Sequence, residues 1–291
     1  MGSRYQSSFS IAGLNICFLT EQPIKVIESF QPFLSEEEPY YQAEFYEVPV
    51  LESFPEQWVY EGISYVVAPD EQGGFRRRFR DVKRDNRPYA IARYDWNNKH
   101  IKVEYLPGSQ EFISEIGTCF FHIAWEALLM HEHRMMLHAA CVCTKYGGLL
   151  FSGPSGIGKS TQAELWCRFG GGRIINGDRT VIHPEDDKWI AFGSPYAGSS
   201  RCYVNDSCSI RAIVFLKQER QCQLRRLGIA EGFQSIFSGL TVNSWDREFV
   251  SFACDFAEAM AGQIPVYELA CTPDEDAVNI LKMELLGGVE Q

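Results

Sequence analysis

One short segment near the middle of the chain constrains the fold more than any other part of the sequence. Residues 153–160 read GPSGIGKS and match the pattern G-x-x-x-x-G-K-[ST] in full. For a chain of this composition, an accidental match is expected on the order of once in a hundred sequences. An apolar run over residues 149–152 precedes the segment, and a helical pattern over residues 159–169 follows it. The sequence therefore predicts a phosphate-binding loop between a strand and a helix.

The residue types of this loop suit the binding of a triphosphate. Gly156 and Gly158 permit backbone angles and a close approach that a side chain would block. Backbone N–H groups at the start of the helix then point at phosphate oxygens. We expect Lys159 to reach the β- and γ-phosphates and Ser160 to bind Mg²⁺. The predicted nucleotide-binding residues are Gly153, Pro154, Ser155, Gly156, Ile157, Gly158, Lys159, Ser160 and Thr161.

A second apolar run ends in a carboxylate. Residues 173–178 read RIINGD, so that Asp178 follows a predicted strand. In proteins with a phosphate-binding loop, such an aspartate binds Mg²⁺ directly or through water. Ser160 and Asp178 are therefore the predicted metal ligands. The adjacent Arg179 either stabilises the transferred charge or pairs with an acid.

His138 is the candidate histidine of this site. Residues 136–144 and 149–152 are predicted to form a hairpin with its turn at residues 145–148, which brings position 138 to the phosphate end of the sheet. His138 is therefore a candidate for phosphate contact or proton transfer. The other clustered histidines, His122, His131 and His133, lack acidic or cysteine partners at ligand spacing, which favours surface or helix-end roles over a metal site.

Together, HAA at 138–140, FSGPSGIGKST at 151–161 and INGDR at 175–179 resemble the catalytic domain of HPr kinase/phosphorylase. The resemblance covers about residues 136–218 and implies a phosphoenolpyruvate-carboxykinase-like P-loop fold of the α/β class, with a mixed sheet. It implies that His138 and Asp178 act at the phosphoryl-transfer site. The general base of the family corresponds to Gly177 here, and the supporting metal-binding glutamate has no match around residues 194–201.

The resemblance implies an ATP- and Mg²⁺-dependent kinase that transfers the γ-phosphoryl group to a serine-type hydroxyl of a peptide, a protein or a small metabolite. Its catalytic residues would be His138, Asp178 and Arg179. The absence of a carboxylate at Gly177 motivates an alternative, in which the protein is a catalytically weak ATP-binding sensor or scaffold for a peptide-modifying biosynthetic partner. Restoring aspartate at position 177 would then be expected to revive activity.

The chain is predicted to contain two domains, a β-rich N-terminal domain over residues 1–134 and the P-loop domain over residues 135–291. A helix over residues 109–133 is predicted to end the first domain. Seven basic residues crowd positions 76–87, after an acidic stretch over residues 36–61. This basic block is either a contact for RNA or an acidic peptide, or a hairpin with Phe75 and Phe79 inward and its arginines in solvent or paired with the acidic stretch. We favour the hairpin.

Net charge, apolar runs and cysteine spacing indicate which classes of partner and which cellular location to expect. With a formal net charge of −11 the sequence disfavours a nucleic-acid partner. No apolar run is long enough to span a bilayer, and the first residues lack the apolar core of a signal peptide. The ten cysteines are scattered without any C-x-x-C pair, which favours thiols in a reducing compartment. We therefore expect a cytoplasmic protein without membrane partners, and a homo-oligomer remains open.

Overall fold

The computed structural model describes residues 4–71 and 73–287. The chain divides into two compact units, Met1–His131 and Glu132–Gln291. Both contain a mixed sheet, and the N-terminal unit is rich in strands. No helix within the described residues combines the length and the apolar character that crossing a membrane requires.

The N-terminal unit is built on an eight-stranded sheet in the order β1-β2-β3-β8-β7-β6-β5-β4. Its pairs are antiparallel except β2–β3 and β3–β8, which are parallel. The strands are β1 (Tyr5–Ile11), β2 (Leu14–Thr20), β3 (Tyr41–Glu47), β4 (Tyr60–Glu61), β5 (Tyr65–Pro69), β6 (Phe75–Asp81), β7 (Arg87–Asp95) and β8 (His100–Tyr105). The helices are two 3₁₀ turns (Glu28–Phe33 and Gln110–Phe112), α1 (Ile116–His122) and α2 (Trp125–His131).

Aromatic side chains from the sheet, from the 3₁₀ turn Glu28–Phe33 and from α1 fill the core of this unit. The rings of Phe18 and Phe120 lie 5.0 Å apart, and those of Phe30 and Phe120 lie 5.1 Å apart. The prediction of one helix over residues 109–133 is wrong, because the segment forms a 3₁₀ turn and two short helices. The backbone of Ala124 has φ +54°, a left-handed conformation that cannot continue a helix and separates α1 from α2.

The basic block forms β6 and the turn to β7, as the hairpin interpretation predicts. Phe79 is fully buried within it. Arg76 and Arg77 are also buried, with 5% and 3% exposure. Arg76 lies 3.5 Å from Glu52 of the acidic stretch, as expected, whereas Arg77 departs from the prediction. Arg77 pairs with Glu126 of α2 at 2.7 Å, outside the acidic stretch.

The C-terminal unit contains a second mixed sheet, in the order β10-β9-β12-β13-β14-β16-β15. In addition, β11 pairs with β9, and β10 pairs with β14 in parallel. The elements are β9 (Met135–Thr144), β10 (Gly147–Ser152), α3 (Lys159–Phe169), β11 (Arg173–Asn176), β12 (Arg179–Glu185), β13 (Lys188–Phe192), a 3₁₀ turn (Gly198–Ser200), β14 (Ser207–Gln218), β15 (Gln223–Arg226), α4 (Ile229–Gly239), α5 (Arg247–Gln263), β16 (Val266–Cys271) and α6 (Glu275–Gly287).

Helices α3 and α6 cover an apolar face of this sheet. Trp166 of α3 and Leu281 of α6 are fully buried in one cluster with Phe151, Val214 and Leu269 of the strands. The antiparallel pairing of β9 with β10 confirms the predicted hairpin. Strand β10 ends at the buried Ser152, and the 153–158 loop begins there.

Candidate functional site

The loop over residues 153–158 joins the end of β10 to the first residue of α3, as predicted. Three of its glycines have positive φ: Gly153 at +139°, Gly156 at +80° and Gly158 at +112°. A Cβ added to Gly156 or Gly158 would meet no atom within 4 Å, so the backbone there borders open space. Because L side chains rarely adopt these angles, the conformation depends on glycine. The loop therefore presents an open backbone cradle at a helix N-terminus, which suits an anion.

Lys159 folds back over this loop. Its Nζ donates hydrogen bonds to the carbonyl oxygens of Gly153, at 3.1 Å, and Pro154, at 3.2 Å. The residue is 7% exposed. Burial lowers the pKa of Lys159 below its ordinary value, although the Asp178 carboxylate opposes this shift. A partly desolvated ammonium held by neutral carbonyls gains more than a hydrated one from a nearby phosphate.

The sheet brings His138 and Asp178 together. Strand β9 pairs with β10 on one side, where Ala139 lies opposite Ser152, and with β12 on the other, where His138 lies opposite Arg179. His138 therefore stands beside the strand that enters the loop and beside the residue that follows Asp178. Its Nε2–H donates to the Asp178 carboxylate over 2.9 Å, because an ionised carboxylate can only accept.

The electrostatic surroundings of His138 favour its neutral form. Burial lowers its pKa, and the Lys159 ammonium lowers it further, whereas the Asp178 carboxylate raises it. The net direction is below the ordinary value, so this pair is a neutral imidazole donating to a carboxylate rather than an ion pair at neutral pH. With the proton on Nε2, the Nδ1 atom is left as a proton acceptor.

Asn176 fixes the backbone that carries these groups. It is fully buried, and its Oδ1 accepts hydrogen bonds from the backbone N–H groups of Asp178, at 2.9 Å, and Arg179, at 2.7 Å. Its Nδ2 donates to the carbonyl oxygen of Ser194 over 3.0 Å. Sequence analysis did not single out Asn176. The available signal was a polar residue at the end of an apolar strand, directly before a Gly-Asp turn.

Arg179 divides its guanidinium between two partners. Its Nε lies 3.6 Å from Asp178 Oδ2, and another nitrogen donates to Thr241 Oγ1 over 3.0 Å. The side chain is 40% exposed. In this structure Arg179 therefore pairs with the acid next to it, which was one of the two roles expected for it.

Gly177 lies where the resemblance would require a second carboxylate, and there is no room for one. A Cβ added there would lie 1.7 Å from Ser200 Oγ and 3.0 Å from the carbonyl oxygen of Ala197. Ser200 is in turn held by a hydrogen bond from its Oγ to that carbonyl, at 2.7 Å. The 3₁₀ turn over residues 198–200 thus fills the space beside Gly177.

The donor set fits a hard divalent cation only in part. Ser160 is half-buried in the first turn of α3, while Pro154, Ser155 and Thr161 are exposed. A serine hydroxyl and a carboxylate are the oxygen ligands that Mg²⁺ takes when phosphates and water complete its shell. Within the described residues, no group of three or more His, Cys, Asp or Glu side chains could hold a metal without such help.

Comparisons with known proteins give little beyond this geometry. No family model matches the chain, and no curated protein matches its sequence. Among solved structures, it is similar to the Hpr(Ser) kinase/phosphatase from Coxiella burnetii, with 12% identity over 52% of this chain and 93% of that chain. The TM-score is 0.31, a likeness too low to support any argument about activity. The functional conclusion therefore depends on the site itself.

Proposed function

We propose that the unit over residues 132–291 binds Mg²⁺–ATP and transfers the γ-phosphoryl group to a hydroxyl of a peptide, a protein or a small metabolite. One observation carries this proposal: the hydrogen-bonded pair of His138 and Asp178 lies near Lys159, close enough for the Lys159 ammonium to lower the pKa of His138 and for the Asp178 carboxylate to oppose the lowering of the Lys159 pKa. A phosphate loop with a cation, a carboxylate and a proton acceptor at its mouth is the minimal equipment for phosphoryl transfer.

In this proposal the loop binds the nucleotide, and Lys159 exchanges the two carbonyl oxygens of Gly153 and Pro154 for phosphate oxygens. The N–H groups at the start of α3 hold the same oxygens. Ser160 and Asp178 would hold Mg²⁺, which neutralises phosphate charge when bound. The hydrogen bond from His138 orients the Asp178 carboxylate toward that task.

His138 also supplies a proton acceptor that Gly177 cannot. Its neutral ring, with the proton on Nε2, leaves Nδ1 free to take the proton of an attacking hydroxyl. Loss of the family's base therefore does not remove every base from the site. His138 is accordingly the proposed general base, and Arg179, beside Asp178, the proposed stabiliser of transferred charge.

A second candidate function is an ATP-binding sensor or scaffold for a biosynthetic partner. The observation that favours it is the enclosed position of Gly177, where Ser200 occupies the space of the missing carboxylate. Such a protein would bind ATP and turn it over slowly or not at all.

Nucleotide binding is tested by calorimetric titration of Mg²⁺–ATP into wild-type protein and Lys159→Ala. We expect an affinity loss of about 100-fold or more in the variant, because a desolvated cation facing phosphate is lost. Lys188→Ala removes an exposed lysine at the start of β13 and serves as the control, with wild-type affinity expected. Equal binding by wild type and Lys159→Ala would end the proposal.

Catalysis is separated from binding by incubation with γ-labelled ATP and cell lysate, comparing wild type with His138→Gln, whose amide nitrogen can still donate to Asp178 but whose side chain cannot take up a proton at neutral pH. Loss of a general base is expected to lower labelling by about 10²–10⁴-fold while ATP affinity stays nearly unchanged. Binding without any labelled acceptor in the wild type would instead favour the sensor function.

A further inference from the structure

A cleft of about 500 Å³ opens directly beside the phosphate loop, in the C-terminal unit. Gly156, Ile157 and Gly158 form one wall, and the ends of β14 and β16 form the others. The end of β14 is tied to the loop, because Gln218 Nε2 donates to the carbonyl oxygen of Ile157 over 3.3 Å. The cleft and the phosphate cradle are therefore continuous, and a cleft of this size accommodates a small ligand.

A buried side chain without a hydrogen-bond partner lines this cleft. Gln162, in the first turn of α3, is 3% exposed, and its Nε2 has no acceptor among the described residues. Buried amides are nearly always paired, so an unpaired one beside a cavity points to a ligand that completes it. The terminal torsion of glutamine is broad, and its rotation turns either amide atom toward the cleft.

The remaining walls suit a flat ring. Leu216, near the end of β14, and Pro273, just after β16, contribute apolar groups to the lining. Arg220 also lines the cleft and is exposed to solvent. A guanidinium can lie over the face of a heteroaromatic ring, and apolar side chains exclude water from its edges. Of the other lining groups, Lys217 and Glu219 pair with each other at 3.0 Å, and the Gln218 amide is bonded to the loop. The chemistry that remains is that of a nucleobase site with the Gln162 amide for hydrogen bonding.

We propose that this cleft takes the nucleoside of the bound triphosphate and that Gln162 selects adenine. The inference rests on the proposed function, since the loop must hold the phosphates for the base to enter the cleft. A glutamine amide pairs with adenine through a donor and an acceptor at once, its nitrogen toward a ring nitrogen and its oxygen toward the exocyclic amino group. Guanine presents two acceptors, O6 and N7, at the corresponding edge, and one of them would face the amide oxygen.

The test compares three ligands by calorimetry in the presence of Mg²⁺: ATP, GTP and inorganic tripolyphosphate. We expect wild-type protein to bind ATP roughly 10- to 100-fold more tightly than GTP or tripolyphosphate. Gln162→Leu should bring ATP to the affinity of GTP and leave tripolyphosphate binding unchanged. Gln234→Leu makes the same change at an exposed position of α4 and should behave as wild type.

The outcomes separate this inference from the proposed function. Equal affinity for ATP and tripolyphosphate would overturn the nucleoside site and leave the phosphate loop intact. Equal affinity for ATP and GTP, both above tripolyphosphate, would overturn the role of Gln162 in selecting adenine. If no ligand binds, the proposed function fails first. Should Gln162→Leu not fold, Arg220→Ala removes an exposed guanidinium from the cleft and should weaken the binding of ATP more than that of tripolyphosphate.

Discussion

The two units of the chain differ in how their buried charged and titratable groups are held. In the N-terminal unit, Arg76, Arg77 and His122 each have partners from the same unit, although Arg76 Nε and Trp125 Nε1 have no hydrogen-bond partner among the described residues. Arg77 pairs with Glu126, and His122 is bonded at both ring nitrogens. In the C-terminal unit, Lys159 is held only by backbone carbonyls, and Gln162 leaves its Nε2 without an acceptor among the described residues. Internal pairing stabilises a fold, whereas incomplete pairing beside open space prepares a site for a ligand.

Pairing within the N-terminal unit also accounts for the high positive charge of the arginine-rich segment over residues 76–87. A run of basic residues suggests a contact with an acidic partner. Here Arg76 lies 3.5 Å from Glu52, and Arg80 lies 2.8 Å from Glu61, so that part of the charge is neutralised within the unit. Burial alone would lower the pKa of Arg77, and the Glu126 carboxylate holds it above the ordinary value. Part of the positive charge of this segment thus serves pairing within the folded unit.

The largest expected effect comes from breaking a buried pair in the N-terminal unit. Arg77→Met leaves Glu126 without its cation and should lower the free energy of unfolding by about 3–5 kcal/mol. Denaturant titration measures the change. Arg84→Met, at a 66% exposed side chain with partners no nearer than 3.6 Å, should cost less than about 1 kcal/mol and is the matched control. Similar losses in both variants would contradict a structural role for Arg77.

The next largest effect is a loss of folding stability at acidic pH. Burial lowers the pKa of His122 to about 4, from an ordinary value of 6.5. The unfolded chain therefore takes up a proton near pH 6.5, whereas the folded chain resists protonation down to about pH 4. Stability from this group is complete above pH 6.5 and falls as the pH decreases toward 4, by about 3 kcal/mol in total.

His122→Gln isolates this contribution, because its amide can still donate and accept but does not titrate. We expect denaturant midpoints measured between pH 7 and pH 4 to fall less steeply in the variant than in wild type. Parallel pH profiles for the two proteins would show that His122 is not the group that titrates.

The smallest expected effect concerns the C-terminal unit, which contains the candidate site. Gly177→Asp places a Cβ 1.7 Å from Ser200 Oγ, so the neighbouring turn must move, at a cost of about 1–3 kcal/mol in unfolding free energy. Because the carboxylate displaces structure instead of filling a gap, we expect no gain in turnover. Thermal unfolding and an ATPase assay measure the two quantities.

Two further variants sharpen this test. Ser200→Gly removes the side chain that clashes, so the double variant with Gly177→Asp should recover part of the stability that Gly177→Asp loses. Gly262→Ala, within α5, adds a Cβ that meets no atom within 4 Å and should leave stability the same or slightly higher. An active and fully stable Gly177→Asp protein would show that the site tolerates the family's carboxylate after all.

Much of the site's framework was predictable from local pattern. The helix Lys159–Phe169 and the strand Arg173–Asn176 have the predicted bounds, since glycines end the first and an apolar run marks the second. By contrast, the tight turn between β1 and β2 depends on positive φ at Ala12 and Gly13. Positive φ at a residue other than glycine leaves little trace in a sequence.

What sequence reasoning missed is mostly long-range pairing. The hairpin of β12 and β13 was not predicted, although its alternating apolar residues and Asp186-Asp187 turn are hairpin signals. Its pairing with β9 places Arg179 opposite His138, which no local pattern specifies. Likewise, the obstruction of Gly177 depends on a turn more than twenty residues later in the chain. Contacts of this kind require the fold.

Because β9 pairs with β10 on one edge and with β12 on the other, the register of these pairs determines which residues lie together at the site. Side chains alternate between the two sides of a strand, so a shift of one residue in the register of β9 against β10 would change which residue lies opposite Ser152. A change in the length of the turn over residues 145–146 must therefore be absorbed within the turn or by a bulge if this register is to be kept. The short connection over residues 145–146 thus helps to set the distance between His138 and the loop over residues 153–158.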